Sequence, residues 1–278
     1  MKPIDILNRN ILTLKNANFF LSEMEYENFL KFNEIEKEEL LKNLLEKPIN
    51  EFTEINELYF RSKWAEFVNK DYGNNPISLL EVASGDADMI PQSLARSNPD
   101  TTYIAANMNK ILNESLLRKT KDLNIKMRLI DDDAAIIKKY VKENSIDIIA
   151  FQHGVNDVLQ AILCEQNDID TINSDWMICL PKMIELLQNE LSNNSFEKSV
   201  KEPFLNLMND LLVVLKEDGV IAINHYMFQL DLDLGYPKDL FENLISIIRD
   251  WFKENNCFKE VYYDGFDSNW WIFLKHNI

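Results

Sequence analysis

Cysteine is scarce. Cys164, Cys179 and Cys257 are an odd number, widely spaced, and no Cys-x-x-Cys pair occurs. A disulfide framework is therefore excluded, and the thiols read as small apolar side chains in a reducing compartment. Histidine is as sparse, at three residues, and no His/Cys cluster has ligand spacing, so no metal site is expected. The acidic triplet 131–133 alone does not make a cation cage. Positive charge is also short: 29 Lys and Arg stand against 46 Asp and Glu, a formal charge of −17. Phosphate-backbone binding needs clustered bases, so no nucleic-acid partner is expected, and docking on anionic membranes is disfavoured. No apolar run approaches membrane-spanning length, and the opening MKPIDILNRN lacks a basic-then-apolar signal pattern; a cytoplasmic protein is expected. Internal repeats and low-complexity linkers are absent.

What is present is a globular composition, 46% hydrophobic over 278 residues, enough for one large domain or one with a small appendage. The acidic excess reads first as solubility and is compatible with a cationic or small-molecule partner. Up to about residue 72 the spacing is helical: Phe29, Phe32, Leu40, Leu41, Leu44 and Leu45 recur at three- and four-residue steps, with Pro48 and the run DYGNNP at 71–76 as breakers. Beyond Pro76 short apolar runs appear at 77–83, 102–106, 126–130, 146–151, 219–224, 258–263 and 270–275. Helical patterns such as 111–123 and 204–216 separate the first five, which predicts βαβ units and a mostly parallel sheet. The last two runs are joined by YYDGFDSNW, too short for a crossover helix, and should pair antiparallel. A helix-rich insertion is expected at about 155–203.

The first strand runs into LLEVASGDAD. In doubly wound sheets ligands bind outside the carboxyl ends of the strands, and this loop lies at such an end. Gly85 allows close backbone approach, while Ala83, Ser84 and Ala87 leave room around it. Asp86 or Asp88 is placed to cap the next helix, with Pro91 in its first turn, and Glu81 or Asp86 to accept from an ammonium group.

Glu81-Val82-Ala83-Ser84-Gly85-Asp86-Ala87 resembles, in order, the acid-apolar-Gly-x-Gly-x-Gly motif of the class I S-adenosylmethionine-dependent methyltransferases, with alanine replacing the two outer glycines. The resemblance continues from about 77 to 275. Asn107, followed by Met108 and Asn109, stands where the family's second strand ends in a ribose-binding acid; MRLIDDDAAI sets Asp133-Ala134, preceded by Asp131 and Asp132, in the place of its Asp-Ala pair beside adenine. The fourth strand, SIDIIAFQHGVNDV, and the fifth, LLVVLKEDGVIAINH, match the family's apolar runs, with 216–219 as a hairpin-like turn. The resemblance implies a Rossmann-like seven-stranded, mostly parallel α/β sheet with an antiparallel last strand, a helical N-terminal cap at 1–73 and a methyltransferase domain at 74–278. It also implies S-adenosyl-L-methionine as cofactor, held by Glu81, Ala83, Ser84, Gly85, Asp86, Asn107, Met108, Asp132, Asp133, Ala134 and Gln152.

The reaction implied is methyl transfer to a small-molecule acceptor, by a monomer or homodimer. His153 and His225, at the ends of the fourth and fifth strands, are the catalytic candidates, each alternatively a satisfied structural histidine. Asn156, Asp157, Trp176 and Tyr226 are candidate substrate contacts; by its helical spacing Trp176 reads first as a core residue, and Tyr226 equally as a packed wall. Arg61 reads as a surface arginine on an amphipathic helix, or by family analogy as a ligand of the cofactor carboxylate. His276 is expected to be exposed. Two other readings stay open: aminocarboxypropyl transfer or cyclisation of the same cofactor, and a non-catalytic scaffold. Release of methylthioadenosine instead of S-adenosylhomocysteine separates the first from methyl transfer.

Overall fold

A computed structural model describes residues 53–73 and 75–277, together with Glu27, 30–33 and Glu36. The helical spacing at Phe29, Leu40, Leu41, Leu44 and Leu45, and the breaker Pro48, lie outside the described residues; Phe32 packs half-buried against the core. In chain order the elements are α1 (Thr53–Tyr72), β1 (Ser78–Val82), α2 (Met89–Ser97), β2 (Thr102–Ala106), α3 (Lys110–Thr120) and β3 (Lys126–Ile130). A 3-10 turn (Ala134–Lys139), β4 (Ile146–Gln152), α4 (Val155–Gln166), α5 (Trp176–Ser192), α6 (Phe196–Leu212) and β5 (Leu215–Asn224) follow. The chain closes with α7 (Gln229–Asp233), α8 (Lys238–Glu254), β6 (Phe258–Val261) and β7 (Trp271–His276).

All seven apolar runs are strands of one sheet, ordered β3-β2-β1-β4-β5-β7-β6. The first five pair in parallel, and β7 lies antiparallel between β5 and β6. Alternate residues of the central strands are buried on both faces, which is why those strands read as continuous apolar runs rather than as an in-out alternation. Leu80, Val82, Ile149, Phe151, Ile221 and Ile223 pack in the larger core cluster with α4, α5, α6 and α8. Leu79, Tyr103, Ala105, Ile148, Ala150 and Ala222 pack on the other face with α1 and α2. The result is three layers, helix–sheet–helix, with the central strands covered on both faces and the edge strand β3 open at Lys126 and Arg128.

Three local expectations need correcting. The helix placed at 204–216 is α6, ending at Leu212. The turn at 216–219 lies within β5 as a wide bulge: Ile146 pairs with Leu215, yet Ile148 already pairs with Val220. Lys216 reaches back to Asp147 at 2.6 Å, and a Cβ on Gly219 would lie 2.7 Å from Leu215 Cδ1, so the bulge folds tightly on its own strand. Finally, α1 is not an amphipathic surface helix. From Tyr59 to Val68 every residue is buried, including Arg61, Lys63 and Glu66. Lys63 and Glu66 pair at 3.2 Å, and Lys63 also donates to the Gly265 carbonyl and lies 4.8 Å from the Phe266 ring centre, pinning α1 to the β6–β7 connection. The helix ends where the sequence breaks: Gly73, at φ +59, takes the left-handed position after its last turn.

Candidate functional site

Strand order reverses between β1 and β4, so the crevice at their carboxyl ends is the natural binding place of this topology. Two turns form it. After β1 the chain curls left-handed at Ala83 (φ 54) and again at Gly85 (φ 55); after β4 it does so at His153 (φ 58). The two turns touch at Gly154, where an added Cβ would lie 2.8 Å from the Val82 carbonyl oxygen and 2.9 Å from that of Ala83. Ala83 is the position at which the motif resembled carries its first glycine, and its φ explains that preference; alanine adopts the same backbone at a cost of about 1–2 kcal/mol.

Beside this contact opens a cavity of about 480 Å³. Its floor is Val82, Ala83, Gly85 and Ala106; Asn107, Met108 and 131–135 form one wall. The opposite wall is one face of α4: Asp157, Val158, Ala161, Ile162 and Glu165 recur at helical spacing. A strap at 169–172, with Trp176, covers the rim.

Asn107, at the end of β2, uses its amide to donate to the Asn113 side chain at 2.8 Å and to the Gly85 carbonyl at 3.3 Å. Asn113 donates in turn to Asp131 at 2.8 Å and to the Asn107 carbonyl at 2.9 Å. An acid in place of Asn107 would have no proton to offer Gly85, so the asparagine suits this turn. In the acidic triplet, Asp133 caps the 3-10 turn by accepting from Ala135 N at 2.8 Å. Asp132 accepts from the Tyr140 hydroxyl, which holds its carboxyl below the usual range.

The acids of the first loop fall elsewhere. Glu81 is fully buried beneath α1 and accepts from the Tyr103 hydroxyl at 2.7 Å; burial pushes its pKa up to about 8, against the pull of that hydrogen bond. Asp86 turns to α3, taking Lys119 at 2.7 Å and Ser115 at 2.8 Å. Asp88 holds the cap position of α2 without capping it through its side chain, because it faces buried Arg61 at 3.3 Å; Pro91 does lie in the first turn. Arg61, 4% exposed, is thus no surface arginine. Gln152 is buried, accepting from Trp64 Nε1 at 2.6 Å, while its Nε2 has no hydrogen-bond partner.

The structure brings His153 and His225 together as a parallel stack, ring centres 4.7 Å apart and planes within 4°. His225 is 2% exposed and packs edge-on against Phe241; burial, then the neighbouring His153, press its pKa far down, with only the Phe241 backbone pulling the other way. It is a neutral imidazole. His153 lies with Nε2 3.7 Å from Asp231 and its ring against Phe228. Neither histidine lines the cavity; Asp157, one turn along from His153, does. Asn156 donates to Asp157 Oδ1 at 2.9 Å. Tyr226 packs against Phe60, Phe228 and Trp270, away from the cavity wall, whereas Trp176 lines it. His276 is exposed on β7.

Sequence reading missed two elements. Asn109 caps α3 by accepting from Leu112 N at 3.0 Å and gives both amide protons to the strap, at Thr171 O (2.8 Å) and Ser174 O (2.9 Å). Only the Asn-x-x-apolar start of α3 could have hinted at it. The α4 face was legible in principle from its period, but not which side it turned to the crevice.

No family model matches the sequence, and no curated protein matches it. Solved structures do match. A candidate S-adenosyl-L-methionine-dependent methyltransferase of Methanococcus maripaludis aligns with a TM-score of 0.51 at 13% identity, covering 82% of this chain and 90% of that one. A SAM-dependent methyltransferase of Aquifex aeolicus aligns at 0.47 and 12% identity, with 76% and 88% covered. A candidate rRNA methylase of Clostridium thermocellum aligns at 0.44 and 9%, with 77% and 93% covered. The first likeness establishes the fold, a Rossmann-like sheet of the class I methyltransferase type.

Two consequences are measurable. Gly154→Ala forces a methyl against two backbone carbonyls, which cannot swing aside as a side chain would, and should cost about 1–3 kcal/mol in urea unfolding. A loss below about 0.5 kcal/mol would mean that the two turns separate freely. Glu81, with its folded pKa raised, favours the folded state fully below its unfolded pKa, and this contribution is lost as pH rises towards about 8. Glu81→Gln keeps an acceptor for Tyr103 and should flatten the fall in stability between pH 5 and pH 8. An unchanged slope would show that Glu81 is ionised in the fold.

Proposed function

We propose that the cavity binds S-adenosyl-L-methionine and that the protein transfers its methyl group to a small-molecule acceptor. The observation that carries this reading is convergence: Ala83, Gly85, Asn107, Met108, Asp132, Asp133 and Ala134, expected from separate strand ends, all line one cavity at the sheet's switch point. The residues fit such a group. Gly85 and Ala83 offer unencumbered backbone, Asn107 retains an acceptor oxygen for a ribose hydroxyl, and Met108 with Val158 and Ile162 supplies apolar surface for a purine.

When bound, the cofactor supplies an electrophilic methyl on sulfonium. The chain's part is to hold the acceptor in line with that methyl and to keep water out, and positioning of this kind supplies much of the rate. The strap pinned by Asn109 excludes water from above. On the acceptor side stand Asp157 and Asn156, with His153 behind them and His225 buttressing His153 by stacking. The small cavity and the acidic surface support a small-molecule acceptor over a nucleic acid. Among the described residues no helix is long and apolar enough to cross a membrane.

Calorimetric titration with S-adenosylmethionine and S-adenosylhomocysteine, followed by mass spectrometry of the released nucleoside, tests the reading. Both should bind, and S-adenosylhomocysteine should be the product. Gly85→Val puts a β-branched side chain at φ +55 on the cavity floor and should weaken both ligands at least about tenfold while the protein stays folded. Unchanged affinity in the folded variant would remove the first loop from the site, and released methylthioadenosine would replace methyl transfer by cleavage chemistry on the same cofactor.

A further inference from the structure

Between α4 and α5 the chain crosses the mouth of the cavity at 168–175 and contributes Ile169, Asp170, Thr171 and Ile172 to its lining. This crossing has little apolar hold on the body. Thr171 is buried, but Ile172 is 41% exposed, and neither Ile169 nor Ile172 belongs to a core cluster. What fastens it is polar and comes from two consecutive residues at the start of α3. Buried Asn109 donates to Thr171 O at 2.8 Å and to Ser174 O at 2.9 Å. Lys110 donates from its backbone to Ile172 O at 3.2 Å and from Nζ to Asn173 Oδ1 at 2.8 Å. Other bonds of the segment, such as Ile169 N to Cys164 O at 2.9 Å and Cys179 Sγ to Asp170 O at 3.6 Å, run to the two helices that it joins.

Within itself the segment is stiff. Asp170 Oδ1 accepts from Ile172 N at 2.9 Å and from Asn173 N at 3.0 Å, which ties 170–173 into one piece. Two joints flank it: Asp168, left-handed at φ 55, and Asp175, the extended cap residue that starts α5 by accepting from Met177 N at 2.8 Å. A stiff flap between two joints, with few buried apolar contacts, opens at a free energy well below that of global unfolding. Its fastening also adjoins the cavity wall, since Asn107 and Met108, which line it, immediately precede Asn109.

We propose that 168–175 is a gate over the cavity and that Asn109 is its latch: the nucleoside enters and leaves only when the hydrogen bonds to Thr171 O and Ser174 O are broken. The inference rests on the cofactor reading given above. Asn109 is a positioning residue in this scheme, because it acts on the ligand through the flap. The latch is the same over the empty and the filled cavity. Weakening it therefore speeds entry and exit alike and leaves the affinity nearly unchanged, whereas loss of a direct ligand contact would speed exit alone.

The two duties of the Asn109 side chain are chemically separable. Oδ1 caps α3 by accepting from Leu112 N at 3.0 Å, while Nδ2 holds the flap. An aspartate keeps the first duty, being as good a cap and carrying a charge favoured at a helix N-terminus. It cannot perform the second. It has no proton to give and sets an anionic oxygen against two carbonyls. Loss of two such hydrogen bonds shifts the opening equilibrium by at least about tenfold.

The test uses the full chain in stopped-flow mixing with S-adenosylhomocysteine, together with amide exchange followed by NMR. Asn109→Asp should raise the association and dissociation rate constants together, by at least about tenfold, with the dissociation constant within about threefold. In the ligand-free variant the Lys110 amide, released from Ile172 O, should exchange faster by a similar factor, while the Leu112 amide keeps its protection. Asn109→Ala, which loses the cap as well, should show the same rates with a lower stability in urea. Unchanged rates in folded Asn109→Asp, or a rise in dissociation alone, would overturn the gate and leave the cofactor reading intact. So would equal loss of protection at Leu112 and Lys110, which would make Asn109 a helix cap only. Failure of S-adenosylhomocysteine to bind the unmodified chain would overturn both.

Discussion

The contact of the turn after β4 with the turn after β1 is the constraint on which the rest of the site depends. Gly154 has no Cβ because the carbonyl oxygens of Val82 and Ala83 occupy the place where one would be. To make that approach, both turns leave their strands through a left-handed residue that is not glycine, Ala83 and His153. Each turn first extends the sheet's hydrogen bonding by one step: Ala83 N donates to Ala106 O at 2.9 Å and His153 N to Asn224 O at 2.8 Å. The strain is thus held by the ladder on either side, β2 for one turn and β5 for the other. Such strain persists only where the surroundings over-determine it, and it gathers at functional sites. Here it separates two compartments, the cavity over β1–β3 and the histidine stack over β4–β5.

Burial then gives chemically similar groups different characters across that divide. Glu81 and Asp132 are both carboxylates at strand ends, yet Glu81, sealed under α1 with one hydroxyl for company, is raised to about 8, while Asp132, in the open with a phenol donating to it, is lowered. The first is a structural acid in a polar seam beneath the cap helix. The second keeps its charge at the cavity rim. Desolvation wins where no second donor reaches the group; a hydrogen bond in water-rich surroundings wins elsewhere.

The seven strands and their order of appearance were legible because fully covered strands are short apolar runs between helical periods, and the antiparallel end followed from a nine-residue connection. The bulge at 216–219 was not. Locally Lys-Glu-Asp-Gly has turn chemistry, and only pairing with β4, remote in sequence, turns it into a bulge within a strand. Most of the cavity floor was legible through the motif, since a loop that must approach a ligand needs small residues and positive φ. Arg61 misled because its charge implies solvent, whereas a tertiary partner, Asp88, allows it to be buried, as Glu66 and the Gly265 carbonyl do for Lys63. The strap contacts of Asn109 stayed invisible for a related reason: its capping role is local, but its two bonds to the strap join residues more than sixty apart.

The histidine stack also decides how many protonation states the β4–β5 edge has. Two imidazoles with centres 4.7 Å apart cannot both carry charge at low cost, and His225, sealed against Phe241, is the one held neutral. Its role is therefore to fix His153, whose ring is bounded on the other side by Phe228 and directed by Asp231. Asp157, one turn further along, is raised to about 7 by burial, with His153 pulling it down and Asp231 pushing it further up. A proton arriving at this edge is not passed to His225, because the low dielectric around that ring makes its imidazolium costly.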